Sequence, residues 1–127
     1  MKTLSETSIS LNVIREAVDA DVIDSDIINI QNKLLRLTQL IGLSAETKAS
    51  AKKLQGMKEE IVFKMIDKTI PPSIQIRLLN AKCSEENAVL EYADRLNSAL
   101  IHTIDALRTV ISLYKSELEN SLKYTGA

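Results

Sequence analysis

Residues 84–126 read SEENAVLEYADRLNSALIHTIDALRTVISLYKSELENSLKYTG, and no Gly or Pro interrupts them before Gly126. Apolar residues recur at Val89, Ala93, Leu96, Leu100, Ile104, Leu107, Ile111, Tyr114, Leu118 and Leu122. Their mean step is about 3.7 residues, slightly above the period of a straight helix. The spacing predicts one long helix over 84–125. Ser84 would cap it, and Glu85 and Glu86 would sit in its first turn, where carboxylates favour the positive end of the helix dipole. At about 1.5 Å per residue such a helix spans roughly 60 Å, about twice the width of a compact domain of this length. It must kink or pack against another subunit. Leu96, Leu100, Ile104, Leu107, Ile111, Tyr114 and Leu118 are therefore expected to form an oligomerisation seam.

Upstream of this segment, residues 71–83 contain Pro71-Pro72 followed by Ile74, Ile76, Leu78, Leu79 and Ala81. A short connector helix is expected there. The alternation at Ile74, Ile76 and Leu78 also permits a brief extended segment, but no second strand exists to pair with it. Residues 24–70 form a helical arm. Asp24, Ser25 and Asp26 supply cap candidates. Ile27, Ile30, Leu34, Leu37 and Ile41 then recur in steps of three and four, an amphipathic seam that Ile28, Leu35 and Leu40 widen. Gly42 reads as a stop or a kink, and Ser44 as the cap of a third helix ending near Lys68. Leu54, Met57, Ile61 and Met65 share one arc of that helix. Gly56 lies inside it, where a close neighbour or a bend is expected, because Gly there costs about 1 kcal/mol relative to Ala. Residues 1–23 are acidic, with a short helix expected over Ser10–Asp19 from Leu11, Ile14 and Val18.

The whole reads as a single all-α domain over 1–127, a helical hairpin or bundle of four to five helices, and as a homo-oligomer. The 127 residues include only three Gly, two Pro and 3% aromatics, so turns are few and the core is aliphatic. One cysteine excludes an intramolecular disulfide framework. No stretch reaches the roughly 18 apolar residues of a membrane span, and the first residues lack the apolar core of a signal peptide. A cytoplasmic location is expected, with no membrane partner.

The net charge of −1 hides a strong asymmetry. Residues 1–26 carry two bases against six acids, residues 27–83 ten against four, and residues 84–127 four against seven. A basic middle of +6 thus lies between ends of −4 and −3. This pattern suits a polyanion partner for the middle, or head-to-tail contacts between unlike segments of two subunits. Lys48, Lys52, Lys53, Lys58, Lys64 and Lys68 all fall in the third helix as expected from sequence. Lys53, Lys64 and Lys68 would share a sector of about 60°. Such a stripe can track a phosphate backbone, or be a solvated face whose stems cover apolar surface.

Other candidate chemistry is thin. Glu91 and Asp94 have the i, i+3 spacing of a magnesium-binding helix, as in helical nucleotide pyrophosphatases, and Glu85, Glu86, Glu59 and Glu60 add carboxylates. A cage needs a second acidic pair from a facing helix, so a solvated, dipole-compensating face is the stronger reading. His102 stands alone, without the partners of a metal site or a triad. Cys83 sits at a helix junction that can lower a thiol pKa, but it has no second Cys and no nearby His in sequence. No catalytic residue, metal or cofactor is expected.

The order of elements resembles a family, the small recombination mediator of T4-type phages (UvsY). Ala106-Leu107 followed by Val110 and Ser112 is similar to a family stretch Ala-Leu-x-x-Ile-x-Ser. Lys115 and Tyr124-Thr125-Gly126 are similar to the family's terminal lysine and aromatic-x-Gly. By this resemblance Lys64 would fall where the family has DNA-contacting basic residues. Ile66-Asp67-Lys68-Thr69 stands where the family has Tyr-Tyr, and Leu113 where it has Arg. The resemblance covers residues 24–126. It implies an all-helical ring-forming protein that binds single-stranded DNA and assists a RecA-like recombinase, without catalysis. A second expectation from the residues is a helical protein–protein interaction module, such as a virion assembly factor, a chaperone or an inhibitor of a host protein. A magnesium-dependent nucleotide hydrolase ranks last.

Overall fold

Five helices follow one another in the computed structural model, which describes residues 2–22 and 26–125, with only the helical backbone of Tyr124 and Thr125. They are α1 (Leu4–Asp19), α2 (Ile27–Gln39), α3 (Ile41–Met65), α4 (Pro72–Lys82) and α5 (Ser84–Thr125), and no strand occurs among the described residues. The all-α class and the long C-terminal helix expected from the sequence are thus present. α5 is 42 residues long, about 63 Å at 1.5 Å per residue.

Several boundaries differ from expectation, each for a local reason. α1 begins at Leu4 rather than Ser10. Thr3-Leu4-Ser5-Glu6 has the Thr-x-x-Glu form of a capping box, and Thr3 Oγ1 accepts from the Glu6 N–H at 3.2 Å. α2 is capped by Asp26, whose carboxylate accepts from the N–H groups of Ile28 and Asn29. Asp24 and Ser25 lie outside the described residues. The break after α2 is one residue wide and falls at Leu40, not at Gly42 or Ser44. Helical bonding bridges it, with Leu40 N–H donating to Leu37 C=O and Ser44 N–H to Leu40 C=O. Leu37 and Leu40 are both buried, so the arm bends without leaving the core. Ser44 caps nothing: it is buried, and its hydroxyl donates to Asn97 Oδ1 at 2.9 Å.

α3 ends at Met65, with Lys68 beyond it. The Asp67 carboxylate accepts from the backbone N–H and the hydroxyl of Thr69. These bonds turn the chain away from the helix and hold the Asp67 carboxyl below the usual carboxylate range. Pro72 then opens α4 at a position where its missing N–H costs nothing. Residues 74–78 are helical, not extended. Cys83 ends α4 and also starts the hydrogen bonding of α5, because its carbonyl accepts from Asn87 N–H. Ser84 is therefore already inside the helix rather than its cap.

Polar pairs set how the helices run. Ser44 meets Asn97, Lys48 meets Asp94 at 3.3 Å, and Gln55 donates to Asn87 at 2.8 Å. Numbers rise along α3 as they fall along α5, so the two are antiparallel. Lys2 reaches Thr47, and Lys33 donates to the carbonyls of Val18 and Ala20. α1 is thus antiparallel to the α2–α3 arm and parallel to α5. Their shared core holds Leu11, Ile14, Leu37, Leu40, Ala51, Ala93, Leu96, Leu100 and Ile104. α4 packs only on α3 and α5 among the described residues, at the end of the bundle where α5 begins. None of its residues is fully buried.

Gly56 has no neighbour against which a Cβ would press, so the close approach expected there is absent. Gly56→Ala should raise stability by about 1 kcal/mol through helix propensity alone. That is a rise in melting temperature of roughly 3–5 °C by circular dichroism. Leu100 is 0% exposed, and Leu100→Ala should cost about 2–5 kcal/mol in urea denaturation.

Candidate functional site

The six lysines do not form one stripe. Lys48 and Lys52 lie beside α5, next to Leu90 and Asp94. Lys48 is paired with the Asp94 carboxylate, and Lys52 donates to Gln55 Oε1. Lys53 and Lys64 fall on the opposite side of α3, the side turned from the core, and Lys64 is paired with Glu60 at 3.3 Å. Lys58 lies on a third side, lining a groove described below. Lys68 is off the helix altogether. Its ammonium rests 3.5 Å from the centroid of the Phe63 ring and donates to the Phe63 carbonyl. A sector of three lysines required α3 to continue through Lys68, and the Asp67–Thr69 turn prevents that.

The seam of α5 also divides. Leu96, Leu100 and Ile104 are enclosed by the chain's own α1 and arm. They are core residues here, which corrects the expectation that they face another subunit. Leu107 packs against the edge of this core and Ile111 is half-buried. Tyr114 and Leu118 are exposed, Leu118 to 51%, and so are Leu113 and Leu122. Every residue from 112 to 123 is exposed. These residues form a tail of about 18 Å that projects past the bundle.

The other end of the molecule is a head made by the last turns of α3 and by α4. Ile61, Phe63, Met65, Ile74, Ile76 and Leu78 are all exposed there, Met65 to 80% and Ile76 to 59%. The apolar side chains of α4 are spread around its circumference and cannot all face one neighbour. Ile74 and Leu78 share one face of α4 at i, i+4, and Ile76 and Leu79 share another at i, i+3. Between α3 and α4 runs a groove of about 550 Å³, lined by Lys58, Ile61, Val62, Met65, Ile66, Asp67, Ile70, Leu78 and Lys82. Its floor is apolar and one cation stands on each helix wall. Ile66 and Ile70 were not singled out in the sequence. The available signal was their place between an apolar helix arc and Pro71-Pro72, where a loop would ordinarily be polar.

Three of the acidic candidates, Glu60, Glu91 and Asp94, are paired with neighbouring cations. Glu91 pairs with Arg95, and Asp94 with Lys48. No group of three or more His, Cys, Asp or Glu residues is placed to hold a metal among the described residues. His102 is exposed on α5. No described helix is long and apolar enough to cross a membrane.

Cys83 is fully buried at the joint between α4 and α5. Burial pushes its thiol pKa up, the carboxylates of Glu59 and Glu86 push it further, and Lys58 opposes them. This is the reverse of an activated nucleophile. Glu86 Oε2 is itself buried there without a hydrogen-bond partner.

No protein-family model matches this chain, and no curated protein or solved structure is detectably similar to it.

The folded chain binds the Cys83 proton more tightly than the unfolded chain does. The associated stability is whole below the ordinary thiol range and is lost as pH rises through it and above. Urea midpoints measured from about pH 7 to about pH 10 should fall faster for the wild type than for Cys83→Ala. A constant difference between the two curves would contradict this. Iodoacetamide should label Cys83 only when denaturant is added.

Proposed function

We propose that this chain is a helical protein–protein interaction module that acts by binding and not by catalysis, with the α3–α4 head as its main working surface. One observation carries the reading. Three large apolar side chains of the head, Ile61, Met65 and Leu78, are exposed around one groove with an apolar floor, and Phe63 and Ile76 are exposed around a second hollow between the same two helices. Contiguous apolar surface of this kind on a protein marks an interaction site. A pocket walled by side chains of two helices suits an amphipathic helix laid along it. The one thiol, Cys83, is buried and shifted toward its protonated form.

The recombination-mediator reading has less behind it. Lys48 and Lys64 already face carboxylates, Lys68 sits on Phe63, and Lys53 and Lys58 point to different sides of α3. A strand following all six would have to wrap the helix. Fluorescence anisotropy with a labelled single-stranded oligonucleotide at about 50 mM salt should show no binding tight enough to be salt-titrated. Binding that weakens steeply with salt, and that disappears in Lys52→Ala with Lys53→Ala, would restore that reading.

A photo-cross-linking amino acid placed at Ile61 or Ile76 in the producing cell should yield protein adducts. The same group at Lys53, on the back of α3, should yield none. Equal yields from both faces, or none from the head, would overturn the interaction reading.

A further inference from the structure

We propose that the α3–α4 groove takes the α5 tail of a second copy of this chain, so that copies join head to tail. The inference rests on the interaction reading above and names the groove's occupant. The groove supplies an apolar floor through Ile61, Met65 and Leu78, with Lys58 on the α3 wall and Lys82 on the α4 wall. It therefore calls for an amphipathic helix with an apolar stripe and a carboxylate on each side of it.

The tail has that pattern. Tyr114, Leu118 and Leu122 stand at i, i+4 and i+8 on one face and are all exposed. Glu117 and Glu119 flank Leu118 on opposite sides, each about 100° round the helix from it. Burial of exposed Leu and Tyr surface is favourable in proportion to the apolar area removed from water, so the stripe has the means to dock. The two carboxylates meeting the two ammonium groups would set its register. The sole acid lining the groove, Asp67, lies at the far end from Lys58 and Lys82, past the end of α3. It does not compete with Glu117 and Glu119 for those cations.

A chain cannot satisfy its own groove. α5 leaves the head at Ser84 and runs without a break to Thr125, so tail and groove stand at opposite ends of a rod of about 63 Å. The contact must join two molecules. It is also heterologous, because a different surface is used on each partner. Such contacts repeat into a closed ring or an open filament.

The test uses the full chain, in sedimentation velocity over a roughly hundredfold range of concentration. Wild type should exceed the mass of one chain, increasingly so with concentration. Met65→Asp removes the groove, and Leu118→Asp removes the stripe. Both positions are exposed, so both variants should keep the wild-type circular dichroism, and each should sediment as a single chain. Mixed one to one, they should form a two-chain species and nothing larger, because one intact groove and one intact tail remain. Glu117→Lys with Glu119→Lys should weaken association by about tenfold or more, and Lys58→Glu with Lys82→Glu on the same chain should recover most of the loss.

Wild type that stays at one-chain mass overturns the proposal. So does Met65→Asp that assembles like wild type, which would indicate tail against tail, and so does a mixture of the two variants that fails to associate. A monomeric wild type that still gives cross-linked adducts from Ile76 to a different protein leaves the interaction reading standing and removes only the self-assembly. Loss of those adducts as well removes both.

Discussion

The antiparallel register of α3 against α5 governs the shape of this molecule. Three polar pairs set it: Ser44 with Asn97, Lys48 with Asp94 and Gln55 with Asn87. Followed toward α2, the same register brings Ile27 level with about residue 115 of α5, where cover by the arm ends. Followed the other way, it brings Glu59 level with Cys83, and the last turns of α3 overrun the start of α5. The two helices are thus offset along their common axis. The offset leaves one apolar stretch of α5 with no cover at one end and one apolar stretch of α3 with only α4 at the other. Both exposed surfaces are consequences of a single slip, not separate features.

An aliphatic seam with a period near 3.7 does not choose its own register, because sliding one helix past another by a turn or two exchanges one Leu for another. Polar groups in the interface remove that freedom. Thr7, Ser44 and Thr47 are fully or nearly fully buried. Each hydroxyl has a partner: Thr7 donates to Thr3 C=O, Ser44 to Asn97 and Thr47 to Leu43 C=O, while Lys2 reaches Ser10 and Thr47. A slipped register would strand the buried Ser44 hydroxyl without its Asn97 partner, at a cost of about 1–3 kcal/mol. The half-exposed Lys48–Asp94 pair adds less than about 1 kcal/mol. The small side chains of Ala51 and Ala93 lie in the same core.

How far the sequence could be read follows from this division of labour. Helices were legible wherever apolar residues recurred at three and four, so α5 and α2 were plain and Leu11 and Ile14 located α1. Thr7 was hidden because a buried Thr bonded to its own helix looks like a surface residue in a sequence. Ser44 misled for the same reason: a serine near a glycine reads as a cap, yet its hydroxyl was needed across the interface by Asn97. The sequence carries α3 through Lys68 because no Gly or Pro falls between Gly56 and Pro71, and the bonds from Thr69 to Asp67 that end the helix carry no periodic signal. The seam of α5 was legible but its partners were not. Periodicity gives the apolar face of a helix, not which chain covers each part of it, and here Leu100 and Leu118 belong to one stripe with different fates.

The charge asymmetry acquires a different meaning from the same offset. A +6 middle between acidic ends suits, in the sequence, a polyanion lying along the lysines or contacts between unlike segments of two subunits. In the folded chain the middle segment is the arm and head, and it lies against α5, whose acids take up part of the excess, as where Asp94 faces Lys48. The cations left facing an apolar surface are Lys58 and Lys82, one on each wall of the groove. Two ammonium groups flanking an apolar floor repel an unstructured cation-rich segment and offer nothing to a purely aliphatic one. They favour a helix that brings carboxylates beside its apolar stripe. In the proposed docking, selectivity at the head would come from charge and energy from Ile61, Met65 and Leu78. The two roles can be separated because they sit on different side chains of the same two helices.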